Sequence, residues 1–253
     1  MMLVQGDCDF EIDFDKFEED IKDCSVFLCY ALRTIQPDVC WSRRELDKMV
    51  SICKAHGTAI ISDEIHMDMQ LRGKHTPILE YIGEYDRLFL VSSCSKTLNV
   101  PGLIGSYAVI PDQSIRDEFL YQTRKRDFLN SASIFGMYAT MVGYTECDDY
   151  IDQLCDYIRG NMELVEQFVK EHFPDMRFAM PQATYLAWID VSAVPFSSEE
   201  LQEASGAYRK GRNHEGGNLR QQWEGLSAYE LWMSKSEASG GITAHEEGGG
   251  CPV

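Results

Sequence analysis

The alternation of short apolar runs with helix-like segments between residues 10 and 110 is the feature that most constrains the fold. Residues 42–56 carry apolar side chains at helical spacing, open with the capping-box pair Ser42 and Glu45, and stop at Gly57. A short amphipathic helix is predicted over 14–21, and apolar runs of strand length, bounded by turn residues, occupy 26–30, 58–62, 87–92 and 106–110. Because such runs are typical of strands buried in a helix-covered sheet, the pattern predicts an α/β fold with a mostly parallel sheet and flanking helices.

Beyond Pro111 the sequence pattern becomes mainly helical and then changes again. It predicts helices over 114–124, 131–145 and 148–172, followed by strands over 176–180 and 184–190. A further helix is expected to begin near Ser197. Residues 206–253 hold 10 of the 19 glycines and show neither helical nor strand periodicity, so we expect a disordered tail. The predicted division is therefore a large domain over 1–146, a linking helix and small domain over 147–205, and the tail.

Charge and composition exclude some classes of partner and of cellular compartment. The chain has 41 acidic and 23 basic side chains and a formal net charge of -18, which disfavours nucleic acid or an anionic membrane as partner. No stretch of about 18 apolar residues is present, and the first ten residues lack the pattern of a signal peptide. The nine cysteines include no C-x-x-C pair, which favours reduced thiols over disulfides or a metal site. A soluble, cytoplasmic protein fits these observations.

Two polar segments follow predicted strands, where open α/β sheets bind their ligands. Lys96 lies between small hydroxyl residues after the strand over 87–92, and Asp63 directly follows the strand over 58–62. A lysine amine beside hydroxyl and backbone N–H groups suits a Schiff base with a phosphorylated cofactor, and an acid suits the protonated nitrogen of a pyridine ring. Taken singly, Lys96 also fits a solvated loop lysine, and Asp63 a helix-capping residue. Together they indicate pyridoxal phosphate.

Three motifs carry a family resemblance: SDEIHMD (62–68), SCSKTLNVPGL (93–103) and QATYLAWID (182–190). In this order, from about Leu3 to about Glu203, they resemble fold-type I pyridoxal-phosphate enzymes of the aminotransferase class I/II superfamily. The pair DEIH and TYLAW resembles the MalY/PatB-type cystathionine β-lyases, because most class I aminotransferases have Tyr where His66 stands. The resemblance implies a partial large cofactor-binding domain, a partial small α+β domain and, for the intact family, a homodimer.

The resemblance also implies roles for individual residues. Lys96 would form the Schiff base, Asp63 would pair with the pyridine nitrogen, and His66 would lie near the ring oxygen of the cofactor. Ser93 and Ser95 would help to hold its phosphate. Other histidines, including His75, lack ligand spacing and are expected to pack or to lie at the surface, and the tyrosines at 138, 144, 150 and 157 are expected to pack.

The implied activity is carbon–sulfur β-elimination from cystathionine or a cysteine conjugate, which yields a thiol, pyruvate and ammonia. Lys96 would remove the α-proton of the amino-acid thioether, and a thiolate would then leave. An aminotransferase shares the steps up to the carbanion, so Lys96 and Asp63 do not separate the two activities. A catalytically inactive remnant is the third alternative.

Three departures from the family pattern support that third alternative. The family's amino-terminal region is absent, residues 30–41 replace a loop of the type PHNPTGRVW, and the tail after Glu203 does not resemble the family's carboxy-terminal domain. An arginine that would grip the substrate carboxylate is missing, and the basic residues of the tail are expected to be solvated. Codons can be chosen for residues 33–39 and 212–232 that restore family-like sequence in another reading frame. We hypothesise two reading-frame disturbances, which the nucleotide sequence would refute if its codons exclude those frames.

Overall fold

The computed structural model describes residues 3–5, 10–22, 28–31, 40–129, 132–191, 213–215 and 226–230. The chain begins with an antiparallel pair of strands, β1 (Leu3–Gln5) and β2 (Phe10–Ile12). Helix α1 (Phe14–Ile21) follows, and Asp13 caps it by accepting a hydrogen bond from the Lys16 amide at 2.9 Å. Its bounds are those predicted from the sequence.

A four-stranded sheet forms the centre of the larger layer. Its strands are β3 (Leu28–Ala31), β4 (Ile60–Asp63), β5 (Leu88–Ser92) and β6 (Tyr107–Val109), in that spatial order. The β3–β4 and β4–β5 pairs are parallel, whereas β6 runs antiparallel to β5. The predicted α/β sheet is therefore confirmed, with an antiparallel strand at one edge.

Helix α2 (Arg43–His56) covers this sheet. The Ser42 and Glu45 side chains form the predicted capping box, and Gly57 ends the helix at φ 67°, a conformation that favours glycine. The apolar face of the helix packs into a core with α1, β4 and β5, whose buried members include Phe17, Leu46, Met49, Ile60 and Leu88. Burial of this apolar face stabilises the packing of α2 on the sheet that carries the candidate site.

Three helices follow the sheet: α3 (Gln113–Leu120), α4 (Ile134–Glu146) and α5 (Asp148–His172). The prediction for α5 is confirmed at both ends. The helix predicted over 114–124 instead changes after Leu120 into a π-helical segment, Tyr121–Arg126. The apolar face of α5 forms a second core with Met69, Leu71 and Tyr185, so it holds the segment that follows β4.

A second sheet contains β7 (Arg177–Phe178), β8 (Leu186–Asp190), β9 (Asn213–Glu215) and β10 (Leu226–Glu230). Its spatial order is β7-β8-β10-β9, and every pairing is antiparallel. Strands β9 and β10 lie in the stretch that we expected to be without regular structure. Local periodicity does not reveal them, because β10 forms by long-range pairing with β8, and β9 pairs in turn with β10. The helix expected near Ser197 lies outside the described residues, and the domain boundaries stay a prediction.

Candidate functional site

The candidate site lies where two neighbouring parallel strands end. Asp63 is the last residue of β4 and is aligned with Val91 of β5, so the loop after β5 starts at the same edge of the sheet. That loop carries Lys96. The geometry therefore brings the first two sequence motifs together at the carboxyl edge of the sheet, where open α/β sheets bind their ligands.

Main-chain hydrogen bonds hold the loop that carries Lys96. The amides of Leu98 and Val100 donate to the carbonyls of Cys94 and Ser95, each at 2.9 Å. The Ser93 hydroxyl donates to the Gly105 carbonyl and accepts from the Ser95 amide at 3.1 Å. Ser93 therefore shapes this loop, while no described group bonds to the Ser95 hydroxyl. The Lys96 side chain is half-buried, unlike a fully solvated loop lysine.

Helix α4 lies close against the same loop because two of its residues are glycines. A β-carbon on Gly143 would overlap Cδ1 of Leu98, and one on Gly136 would lie 2.8 Å from the Leu103 carbonyl oxygen. The Cys94 thiol also lies 3.4 Å from the Thr140 hydroxyl of this helix. The loop is thus packed against a rigid element on its outer side.

The carboxylate of Asp63 makes one local bond. Its Oδ1 accepts from the Ile65 amide at 3.1 Å, which stabilises the turn after β4 in the manner of a capping residue. Its Oδ2 has no hydrogen-bond partner among the described residues, and the side chain is half-buried. Asp63 therefore retains an acceptor for a ligand while it shapes the turn.

His66 is buried beside Lys96. Its side chain is 2% exposed, and its ring centroid lies 5.4 Å from that of Tyr185, a residue of the third motif. Burial, together with a smaller contribution from the nearby positive charge of Lys96, lowers the pKa of His66 to about 4. The imidazole is therefore neutral at pH 7, and its buried Nδ1 has no partner within the described part of the chain.

Main-chain bonds join the third motif to the residues directly after the first motif. The Leu71 amide donates to the Gln182 carbonyl at 2.8 Å, and the Thr184 amide donates to the Met69 carbonyl at 2.9 Å. Thr184 itself has a φ of 70°, which a β-branched residue rarely adopts. This connection places Tyr185 against His66, so all three motifs meet at one site.

Sequence reasoning missed two polar groups that support the site. The fully buried Glu64 carboxylate accepts from the Ser62 hydroxyl and the Ile78 amide, both at 2.9 Å, and lies 2.8 Å from Nε2 of His75. His75, which we expected only to pack or lie at the surface, is thus part of a buried polar network. Asp68 of the first motif accepts from Thr97 of the second at 2.8 Å. Both acids were visible in the DEIHMD motif, but their partners were not.

Within the described ranges, no helix has the length and apolar content needed to cross a membrane. Across the same residues, no three His, Cys, Asp or Glu side chains cluster as metal ligands would.

A lysine and an acid at the ends of adjacent parallel strands, with a neutral histidine beside the lysine, define the class of α/β site that suits Schiff-base chemistry. The chain belongs to the family Aminotransferase class I and II, whose sequence model matches residues 3–222. This confirms the resemblance from which we predicted the family.

Individual relatives agree with the predicted branch of that family. The chain is 34% identical to cystathionine beta-lyase PatB of Bacillus subtilis (strain 168), over 79% of this chain and 52% of PatB. It is also 34% identical to Protein MalY of Escherichia coli (strain K12), over 65% of this chain and 42% of MalY. Cystalysin of Treponema denticola, whose structure contains pyridoxal 5'-phosphate, has a TM-score of 0.87 at 25% identity, over 97% of this chain and 63% of cystalysin. The chain spans about half the length of the curated relatives it matches.

Proposed function

We propose that the chain binds pyridoxal phosphate and acts as a carbon–sulfur β-lyase on cystathionine or another cysteine thioether. The observation that carries the proposal is the position of half-buried Lys96, beside neutral His66 and in the loop next to the strand that ends in Asp63. The similarity to PatB supports the choice of reaction.

The groups left without partners at this site fit the proposed cofactor. Oδ2 of Asp63 can accept from a protonated pyridine nitrogen, and Nδ1 of His66 can bond a ring oxygen. The Ser95 hydroxyl and the loop amides are suited to a phosphate, with Ser93 holding the loop in shape. These assignments account for each site residue that the sequence predicted.

The bound cofactor supplies an electron sink for the carbanion that forms when a substrate loses its α-proton. Lys96 would hold the cofactor covalently, and its amine is also placed to serve as the base that takes the α-proton of the substrate. Asp63 keeps a negative charge near the pyridine nitrogen, which favours its protonated form. His66 bonds as a neutral group, because its pKa lies near 4.

The product distinguishes the lyase from the aminotransferase alternative, which also fits Lys96 and Asp63. With cystathionine and added pyridoxal phosphate, we expect thiol, pyruvate and ammonia in equal amounts, and no dependence on an added keto acid. Pyruvate is measured by coupled reduction with lactate dehydrogenase, and free thiol with a disulfide reagent. A new amino acid formed from an added keto acid, without thiol release, would support the aminotransferase. Cofactor binding without either product would support the inactive remnant.

We further propose that the chain forms a homodimer through helix α4. This helix is apolar on all sides, yet Phe135, Tyr138 and Met141 are 75%, 62% and 63% exposed. Exposed apolar patches of this kind are usually covered, and a two-fold interface between identical chains covers both copies at once.

Light scattering coupled to size exclusion tests the proposed dimer. We expect the mass of two chains for the wild type, and of one chain for Phe135→Glu, because burying a carboxylate in an apolar interface is costly. Gln167→Glu adds the same charge at an exposed position of α5 and should leave the dimer unchanged. A monomeric wild type, or a dimer that survives Phe135→Glu, would contradict the assignment.

The proposed compartment is the cytoplasm. Within the described part of the chain, Cys53, Cys94, Cys147 and Cys155 form no disulfide with one another, which supports a reducing environment.

A further inference from the structure

The side chain of Asp68 joins the two loops that carry Asp63 and Lys96. Its Oδ2 accepts from the Thr97 hydroxyl at 2.8 Å and from the Tyr144 hydroxyl at 3.4 Å. Tyr144 belongs to α4, and its hydroxyl accepts in turn from Tyr107 of β6 at 3.2 Å. Asp68 therefore lies where the loop after β4, the loop after β5 and helix α4 meet.

Burial restricts the motion of the hydrogen-bonded Thr97 and Asp68 side chains. Thr97 is almost completely buried, so its hydroxyl has little access to water and needs the Asp68 oxygen as acceptor. Burial raises the pKa of Asp68, while the hydrogen bonds from Thr97 and Tyr144 oppose that rise. A hydrogen bond from a hydroxyl to a carboxylate is stronger than one to a neutral acceptor. The bond to Asp68 therefore favours a single orientation of the Thr97 side chain.

Thr97 follows Lys96 directly in the chain. The main-chain bonds of the loop connect its own residues, including the Asn99 amide to the Lys96 carbonyl at 3.3 Å. The Thr97 side chain instead ties the loop to the neighbouring motif. A change in the Thr97–Asp68 bond would therefore reach Lys96 through one peptide unit.

We propose that Asp68 is a positioning residue for Lys96, and that it acts through the hydroxyl of Thr97. The bond fixes the direction in which the lysine side chain leaves its loop, and with it the distance from the amine to Asp63 and His66. The inference deepens the proposed function, on which its spectroscopic test rests, and it adds a second test that needs no cofactor.

Two substitutions of Thr97 separate the hydroxyl from the volume of the side chain. Thr97→Ser keeps the donor, whereas Thr97→Val keeps the shape and removes the donor. In the cofactor-free protein, we expect Thr97→Val to raise the rate of Lys96 acetylation by acetic anhydride about fivefold, as a loosened lysine gains access to solvent. Peptide mass spectrometry measures this rate. With pyridoxal phosphate, the affinity from the lysine-dependent absorbance band should fall about tenfold in Thr97→Val and stay within about twofold in Thr97→Ser.

Asp68→Asn tests the other end of the bond. It keeps an oxygen acceptor and loses the charge, so its effect on both readouts should lie between those of the two Thr97 variants. Combined with Thr97→Val, it should add little to the larger single effect, because both changes break one interaction. Thermal unfolding identifies a variant that fails to fold, in which case Asp68→Asn decides the question.

Equal acetylation rates and affinities in Thr97→Val and Thr97→Ser would overturn the proposal, as would strictly additive effects in the double variant. A wild type without a lysine-dependent band would refute the proposed function instead. In that case the acetylation rates in the cofactor-free protein still decide whether Asp68 positions Lys96.

Discussion

Replacing Lys96 by alanine is expected to remove the lysine-dependent absorbance band of the pyridoxal phosphate complex and to lower any β-elimination rate by about 10³-fold. The reason is that the proposed function gives one amine two tasks: to bind the cofactor covalently, and to take the α-proton of the substrate. Lys96 is the one lysine in the three motifs. It is half-buried and lies beside neutral His66. Absorbance titration with the cofactor measures the first effect, and pyruvate release measures the second.

Two further variants make this result specific. Lys74 is an exposed lysine in the segment between β4 and β5, so Lys74→Ala should retain the band and its affinity. Asp63→Asn should keep the band, because Lys96 is intact, but slow elimination through loss of the charge near the pyridine nitrogen. A band in Lys96→Ala as strong as in the wild type would refute the assignment of Lys96.

Acidification is expected to destabilise the fold through His66. Its pKa in the folded protein is about 4, below the ordinary value of 6.5, because burial disfavours the charged imidazolium and Lys96 repels it. Between these two values the unfolded chain binds the proton more tightly than the folded chain. The contribution of His66 is therefore fully present above pH 6.5 and is lost as the pH falls towards 4, by about 3 kcal/mol in total.

Urea unfolding at pH 7 and at pH 4.5 tests this expectation. The decrease in the free energy of unfolding between the two pH values should be about 2 kcal/mol smaller in His66→Asn than in the wild type. His172 is exposed near the end of α5, so His172→Gln should show the wild-type decrease. An identical decrease in His66→Asn and the wild type would show that His66 titrates normally in the folded chain.

Local sequence signals were sufficient for the elements that carry the site. Ser42, Glu45 and Gly57 marked both ends of α2, since caps bond to groups within a few residues of themselves. The apolar runs located β4 and β5, and the residues just after them included Asp63 and Lys96. The family resemblance then supplied roles for these residues.

Features that depend on contacts between distant residues could not be predicted from local sequence signals. Strand β10 was missed because Leu226–Glu230 becomes a strand by pairing with Leu186–Asp190, far away in the sequence. The antiparallel direction of β6 was likewise decided by how the chain returns to the sheet edge. Tyr144, which we expected only to pack, also bonds to Asp68.

The sequence by itself determined the α/β class, the ends of α1, α2 and α5, and the identity of the lysine and acid at the site, because each depends on neighbouring residues or on a motif of fixed spacing. Only the tertiary structure decided that His66 is neutral, that Glu64 and His75 share a buried network, and that Asp68 holds Thr97 beside Lys96. Burial and hydrogen bonding between separate loops are properties of the folded chain, since they arise only when distant segments exclude water from one another.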